Sequence, residues 1–152
     1  VRAMGLDSMG VKGIDLREDD FVIGMDIIES ESDQQVLTVS ANGYGKRTKV
    51  SDWRTQGRGG KGIIGMDTSE RNGALVKLRL VVPEDQLMVI TNGGQVIRTP
   101  VSEIRETGRN TQGVRVIRLR DGEQVVDVEP VAEGEDDEAI EPPEESVEPD
   151  AN

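Results

Sequence analysis

The sequence predicts an all-β protein, a propeller-like array of blades of about four short antiparallel strands each. Three observations carry this. Short segments rich in β-branched residues recur between turn signals. A residue pattern returns after about 51 positions, the length of one propeller blade. No window carries an apolar stripe at helical spacing.

In chain order, strands are predicted over Val22–Ile28, Val36–Ser40, Leu75–Val82, Leu87–Thr91 and Val125–Val128. Asn42-Gly43, Asn72-Gly73, Asn92-Gly93 and Asp121-Gly122 predict tight turns with both central residues at positive φ. Leu37-Thr-Val-Ser-Ala-Asn42-Gly43 aligns with Leu87-Met-Val-Ile-Thr-Asn92-Gly93 at an offset of 50. Arg47-Thr-Lys-Val-Ser-Asp52 aligns with Arg98-Thr-Pro-Val-Ser-Glu103 at 51, which places one inserted residue at the tip of the second hairpin. The offset of 51 continues through Arg54/Arg105, Gly57/Gly108, Arg58/Arg109 and Gly62/Gly113. A partial third copy opens the chain, with Gly5 and Gly10 matching Gly57 and Gly62, and Leu16 and Val22 matching Leu119 and Val125. Such units cannot bury an apolar face alone and stack on their neighbours. A generic sandwich does not account for the repeat. The chain begins without Met and inside a repeat, as expected of a piece of something longer.

With 152 residues the chain suits one domain or a small array, and with neither Cys nor His the usual zinc sites, disulfides, thiol nucleophiles and His-based catalysis are excluded. The formal net charge of -12 would argue against a nucleic-acid partner, but the charge is segregated. Residues 1–132 hold all 18 basic residues against 20 acidic ones, whereas residues 133–152 hold ten acidic residues and no basic one. The expected organisation is therefore a set of blades over 1–132 and a disordered acidic tail over 133–152. Within the blades, residues 40–82 hold nine basic residues and three acidic ones, and residues 98–120 six and two. The longest apolar runs are only a few residues, so neither a signal peptide nor a membrane span is expected.

The segment that points to function is Gln56-Gly57-Arg58-Gly59-Gly60-Lys61-Gly62. Its G-x-G-x-x-G spacing matches the dinucleotide fingerprint in letters, but the strand-like Ile63-Ile64-Gly65 follows where a helix is required. It is not a phosphate-binding P-loop, because Gly follows Lys61 in place of Ser or Thr. What remains is a loop stripped of side chains by glycine, from which Arg58 and Lys61 project, so that backbone N–H groups and two cations can meet phosphate. A plain Gly-rich turn with solvated cations is the alternative. The flanks favour the first reading: Lys46, Arg47, Lys49 and Arg54 lie just upstream, and Arg98, Arg105 and Arg109 recur at matching places in the next unit. A cationic stripe without interleaved aromatics suits a duplex backbone better than single strands, which favour stacking platforms.

Gln56–Gly62 resembles the GyrA box of the bacterial DNA gyrase A family, agreeing at six of its seven positions, with Gly57 where the family has a basic residue. Leu37–Thr48, Glu70-Arg-Asn-Gly73, Val101-Ser-Glu-Ile104 and Gly108-Arg-Asn-Thr-Gln-Gly-Val114 resemble the same family's C-terminal blades. The resemblance covers about residues 1–131 and implies a six-bladed β-pinwheel, of which this chain would hold the last two blades, part of the preceding one, and the acidic tail. It further implies that duplex DNA bends around a basic outer rim, contributing to ATP-dependent negative supercoiling by a bacterial, cytoplasmic, nucleoid-associated enzyme. The implied partners are double-stranded DNA, the rest of the gyrase A protein, and the gyrase B protein in an A2B2 assembly. ATP and Mg would serve that holoenzyme, and the fragment itself would need no cofactor, no metal and no catalytic residue. The implied DNA contacts are Lys46, Arg47, Lys49, Arg54, Gln56, Arg58, Gly59, Gly60, Lys61, Gly62, Arg98, Arg105 and Arg109. The full box in the family belongs to the first blade, so Gln56–Gly62 would be a second, box-like loop.

Three rivals have distinct signatures. The C-terminal domain of the topoisomerase IV A protein shares the blade type but usually lacks a well-kept box. A protein-binding propeller predicts an apolar or mixed rim. An enzyme with a carboxylate pair would use Asp19-Asp20 or Glu84-Asp85, each of which reads as a solvated turn. Trp53, Phe21 and the methionines read as packing residues, and Tyr44 as packing or surface.

Overall fold

The computed structural model describes residues 3–29 and 33–131; the acidic segment 133–152 and the boundary expected at 132 lie outside the described residues. Among the described residues, seven strands and two short 3-10 turns form. They are β1 (Gln35–Ser40), β2 (Tyr44–Lys49), β3 (Leu75–Val81), β4 (Gln86–Thr91), β5 (Val96–Pro100), β6 (Val114–Arg115) and β7 (Val125–Val131). The turns, Val50–Asp52 after β2 and Val101–Glu103 after β5, hold equivalent places in the two units.

The strands make two antiparallel sheets, ordered β3-β1-β2-β6 and β5-β4-β7. The fourth strand of the first sheet is thus donated by the second unit, with Tyr44 opposite Arg115 and Gly45 opposite Val114. Among the described residues the second sheet has three strands, with β5 and β7 at its edges. Four strands per unit, as expected from the sequence, is therefore true of the first sheet only by borrowing.

The apolar positions pack the sheets face to face. Leu37 and Val39 of β1 join Val81, Leu87, Val89, Val101, Ile104, Ile117, Val125 and Val128 in one buried cluster. The other face of β1 carries Val36, Thr38 and Ser40, also buried, so β1 is covered on both sides. In β4 only Leu87, Val89 and Thr91 are buried, in strict alternation.

The repeat register differs from the one read in letters. Ile90 pairs with Val96 as Val39 pairs with Gly45, so both hairpins have the same length and superpose at 51. No residue is inserted at the second tip. The letter match at 50 aligned side chains that point to opposite faces, because strand side chains alternate. The one-residue difference instead falls after β5: Gln35 pairs with Val81, whereas Gln86 pairs with Val131.

The turns also depart from expectation. Only their glycines take positive φ; Asp19 is the one described non-glycine residue that does. The Gly43 N–H donates to Ser40 O (3.0 Å) and the Gly94 N–H to Thr91 O (3.1 Å), each glycine lying in the left-handed region. These are three-residue hairpin loops ending in a bulge, and Gly94, not Gly93, is the residue that needs glycine's freedom. The asparagines act through their side chains instead. Asn42 Nδ2 donates to Glu70 O and Arg71 O, and the buried Asn72 Nδ2 donates to Asp67 O and Gln112 O, which ties one unit to the next.

Val22–Ile28 forms no strand, contrary to the sequence reading. Among the described residues no strand pairs with it, β3 meeting it only where the Leu80 N–H donates to Asp26 Oδ2 at 3.0 Å, and Phe21, Met25 and Ile27 stand exposed, so Phe21 is not a core residue. Met4 and Met9 are exposed too, whereas Met66 is buried.

Candidate nucleic-acid interface

The box-like loop is shaped by its glycines. Gly59 and Gly62 take positive φ, as do Gly10 and Gly113 at the places equivalent to Gly62. The Gly59 N–H donates to Gly13 O and the Asp15 N–H to Gly60 O, both at 2.9 Å, so main chain alone docks the loop on the N-terminal segment. Gln56, Arg58 and Lys61 are left exposed. Gly57, Gly60 and Gly62, with Gly13, Ile14 and Gln56, line a shallow cleft of about 190 Å³.

The equivalent loop of the second unit, Gly108–Gly113, packs differently, and Lys46 is the reason. Lys46 is fully buried. Its ammonium donates to Gly108 O at 2.8 Å, to Arg109 O, and to Thr111 Oγ1 at 3.3 Å. Burial pushes its pKa down to about 8, Arg109 adds to the shift, and Asp67 opposes it. The next residue, Arg47, is buried on the other face. Its guanidinium donates to Ile104 O (2.6 Å), Gln35 Oε1 (2.8 Å) and Ser102 O (3.3 Å). Both residues are struts between units, so neither belongs to an exposed stripe as the sequence implied. Their charges are met by main-chain carbonyls together with Thr111 Oγ1 and Gln35 Oε1.

The other expected cations divide. Lys49 is exposed but lies 3.6 Å from the Glu106 carboxylate. Arg109 is half-buried, donates to Ile64 O at 2.9 Å, and sits 6.0 Å from the Trp53 ring centre. Arg98 is exposed although it holds the place of Arg47, because segment 102–107, which lies along β2 at Arg47, has no described counterpart along β5. Arg54, Arg58, Lys61 and Arg105 are exposed, and among the described residues none has an ion-pair partner. Arg54 and Arg105 occupy equivalent places in the two units.

Lys77 and Arg79 swell the basic count of residues 40–82, but the fold neutralises them. Lys77 bonds Asp127 at 2.6 Å and Glu129 at 2.7 Å, and Arg79 bonds Glu129 at 2.9 Å, joining β3 to β7. Arg79, and then Lys77, hold the Glu129 carboxyl down to about 2. Arg71, Arg115, Arg118 and Arg120, counted in the basic stretches but not assigned as DNA contacts from the sequence, are also exposed. Adjacency to the turns at Asn72-Gly73 and Asp121-Gly122 is the signal that could have found Arg71 and Arg120. Arg71 lies over the Tyr44 ring, 4.2 Å from its centre, and Arg115 donates to the Tyr44 hydroxyl at 3.1 Å. The two guanidinia, Arg115 foremost, lower the Tyr44 pKa.

No group of three or more acidic side chains among the described residues is placed to hold a metal ion. No described helix is long and apolar enough to cross a membrane.

Comparison with known proteins places this architecture. The DNA gyrase A protein of Staphylococcus epidermidis is 49% identical over 136 residues, 90% of this chain and 15% of that protein. The Staphylococcus aureus protein of the same name is 48% identical over 141 residues, 93% of this chain and 16% of its own length. The chain thus spans about one-sixth of these curated relatives. Among solved structures, a DNA gyrase A C-terminal domain superposes with a TM-score of 0.61 at 28% identity, over 63% of this chain and 33% of that one. A C-terminal domain of DNA topoisomerase IV superposes with a TM-score of 0.73 over 80% of this chain and 38% of that one; at 21% identity it speaks to the fold alone. The profile of the family described as DNA gyrase C-terminal domain, beta-propeller, matches residues 1–29, 34–81 and 85–132, three successive repeats. Repeat, sheet order and profile agree, and the chain belongs to the DNA gyrase C-terminal domain family of β-propellers.

Proposed function

We propose that this chain is the DNA-binding and DNA-wrapping part of a gyrase A protein. In this reading it works with the rest of that protein and with the gyrase B protein, as an A2B2 assembly in the bacterial cytoplasm, at the nucleoid. ATP and Mg serve that assembly elsewhere, and the chain itself supplies no catalytic residue. The observation that carries the reading is the set Arg54, Arg58, Lys61 and Arg105, exposed and, among the described residues, without acidic partners beside glycine-stripped loops.

Such a surface suits phosphate. Arg58 and Lys61 lie on the connection between the turn Val50–Asp52 and β3, whose main chain is held to Gly13 and Asp15, so little backbone freedom is lost when they meet a polyanion. Each neutralised phosphate releases counterions, which supplies affinity without reading bases. Bending a site of 20–30 base pairs costs of the order of 1–6 kcal/mol, and several such contacts offset it. The acidic segment 133–152 is a tethered polyanion and, in this reading, competes with DNA for the same cations.

Fluorescence anisotropy of the full chain on unrelated duplexes tests the proposal. Binding is expected to be indifferent to sequence and to weaken steeply with salt. Arg58→Ala with Lys61→Ala is expected to lower the salt slope by about two and to leave circular dichroism unchanged, because both side chains are exposed. Affinity independent of salt would sink it. An unfolded double variant would make the loop a packing element.

A further inference from the structure

Three arginines gather at the open end of the first sheet with no described carboxylate among them. Tyr44 opens β2 and is 9% exposed. Arg71 covers one side of its ring and is held there by a bond from Nη1 to Gln112 Oε1 (2.6 Å), while Gln112 donates in turn to Ser69 Oγ. Arg115, on the strand that pairs with β2, lies 5.6 Å from the ring centre and donates to the hydroxyl. Arg118 lines a cleft of about 300 Å³ with Asn42, Tyr44, Arg115, Ile117 and Leu119, and Arg71 lies on the Tyr44 ring outside that lining.

A guanidinium carries five N–H donors, and Arg71 and Arg115 each use one on the protein. Among the described residues none of the three arginines is in an ion pair. Like charges packed around a shared ring repel, and no described carboxylate relieves this. Arg79, by contrast, is answered by Glu129. The free donors are fixed in direction by the ring and by Gln112, which is the arrangement that planar recognition of an oxyanion requires.

We propose that Arg71, Arg115 and Arg118, arranged around Tyr44, form a phosphate-binding subsite for the duplex backbone, distinct from the Arg58/Lys61 loop. The inference rests on the DNA-binding reading above and adds contacts to it that the box-like motif does not contain. Tyr44 is the platform: its ring orients two guanidinia and its hydroxyl registers their charge.

Tyr44 is the only tyrosine in the chain, so one resonance reports on the site. The full chain labelled with 13C at tyrosine Cζ is titrated in one arm with duplex DNA and in another with inorganic phosphate. Duplex is expected to move the Tyr44 signal and to raise the pH at which the phenol ionises, because phosphate neutralises the guanidinia beside it. Arg71→Gln with Arg118→Gln keeps the Arg115 bond to the hydroxyl. It is expected to weaken duplex binding about tenfold, to lower the salt slope by about two, and to abolish the response of Tyr44. Duplex binding seen by anisotropy with a motionless Tyr44 signal and an unaffected double variant would overturn the subsite and leave the DNA-binding reading standing. No duplex binding at all would overturn both. A Tyr44 signal that moves with inorganic phosphate but not with duplex would make the site one for free anions and overturn its assignment to DNA.

Discussion

Gly62 and Gly113 hold the same place in successive units, yet alanine at the two positions is expected to differ sharply. Both glycines are left-handed, with φ of 81° and 73°. A residue with a Cβ pays roughly 1–2 kcal/mol for that conformation, and this part is common to both substitutions. The rest depends on surroundings. A Cβ on Gly62 would find only Ile14 Cδ1, at an ordinary 3.7 Å. A Cβ on Gly113 would lie 2.4 Å from Gly45 O and 2.9 Å from Gly45 C. Those are backbone atoms of β2 and cannot swing aside, so β6 must lift from β2. That forfeits the short β2–β6 ladder and loosens the carbonyls of Gly108 and Arg109 from Lys46. Two or three hydrogen bonds at about 1 kcal/mol each, added to the conformational cost, put Gly113→Ala at about 3–5 kcal/mol and Gly62→Ala at about 1–2. Urea denaturation of the full chain, followed by the fluorescence of its single Trp, measures both. Losses equal within about 0.5 kcal/mol would refute the claim that the donated strand, and not the turn, makes the second glycine necessary.

Two further outcomes follow from the charges. Lys46 binds its proton less tightly in the fold, at about 8, than in the unfolded chain, near 10.5. Between those values the unfolded state holds more protons, so this residue makes stability rise with pH, by at most about 3 kcal/mol. Urea midpoints at pH 7.5 and 10 should therefore show a rise that Lys46→Met removes, and an identical pH dependence in the variant would contradict the burial. Truncation after Ala132 removes ten acidic residues and is expected to tighten duplex binding at low salt, with the gain shrinking as salt screens the contact. Equal affinities with and without the segment would leave it no role in competition.

Fold class and family were both legible in the letters. β-branched runs and turn glycines recurring every 51 residues dictate stacked β units, and Gln56–Gly62 with its neighbouring blades identified the relatives. Strands β1, β3, β4 and β7 were legible to within a few residues, because each carries enough apolar side chains to be read locally. Strand β6 was not, since its two residues are a strand only by virtue of the partner that β2 provides. Val22–Ile28 failed for the converse reason: the pattern is there, and the pairing strands are not among the described residues.

Tertiary structure alone decided which cations are available. Lys46 and Arg47 are consecutive in a strand, so their side chains leave on opposite faces, and a strand covered on both faces buries the two together. Arg98 repeats Arg47 in letter and in register yet is exposed, because the segment 102–107 that covers Arg47 has no described counterpart on β5. Lys77 and Arg79 count as basic residues in the chain and as neutral pairs in the fold, since β7 brings Asp127 and Glu129 opposite them. Formal net charge is a sum along the chain, indifferent to where each group ends up in the fold. Whether a given cation faces solvent is set by what a distant segment lays over it, and that is a property of the packed sheets.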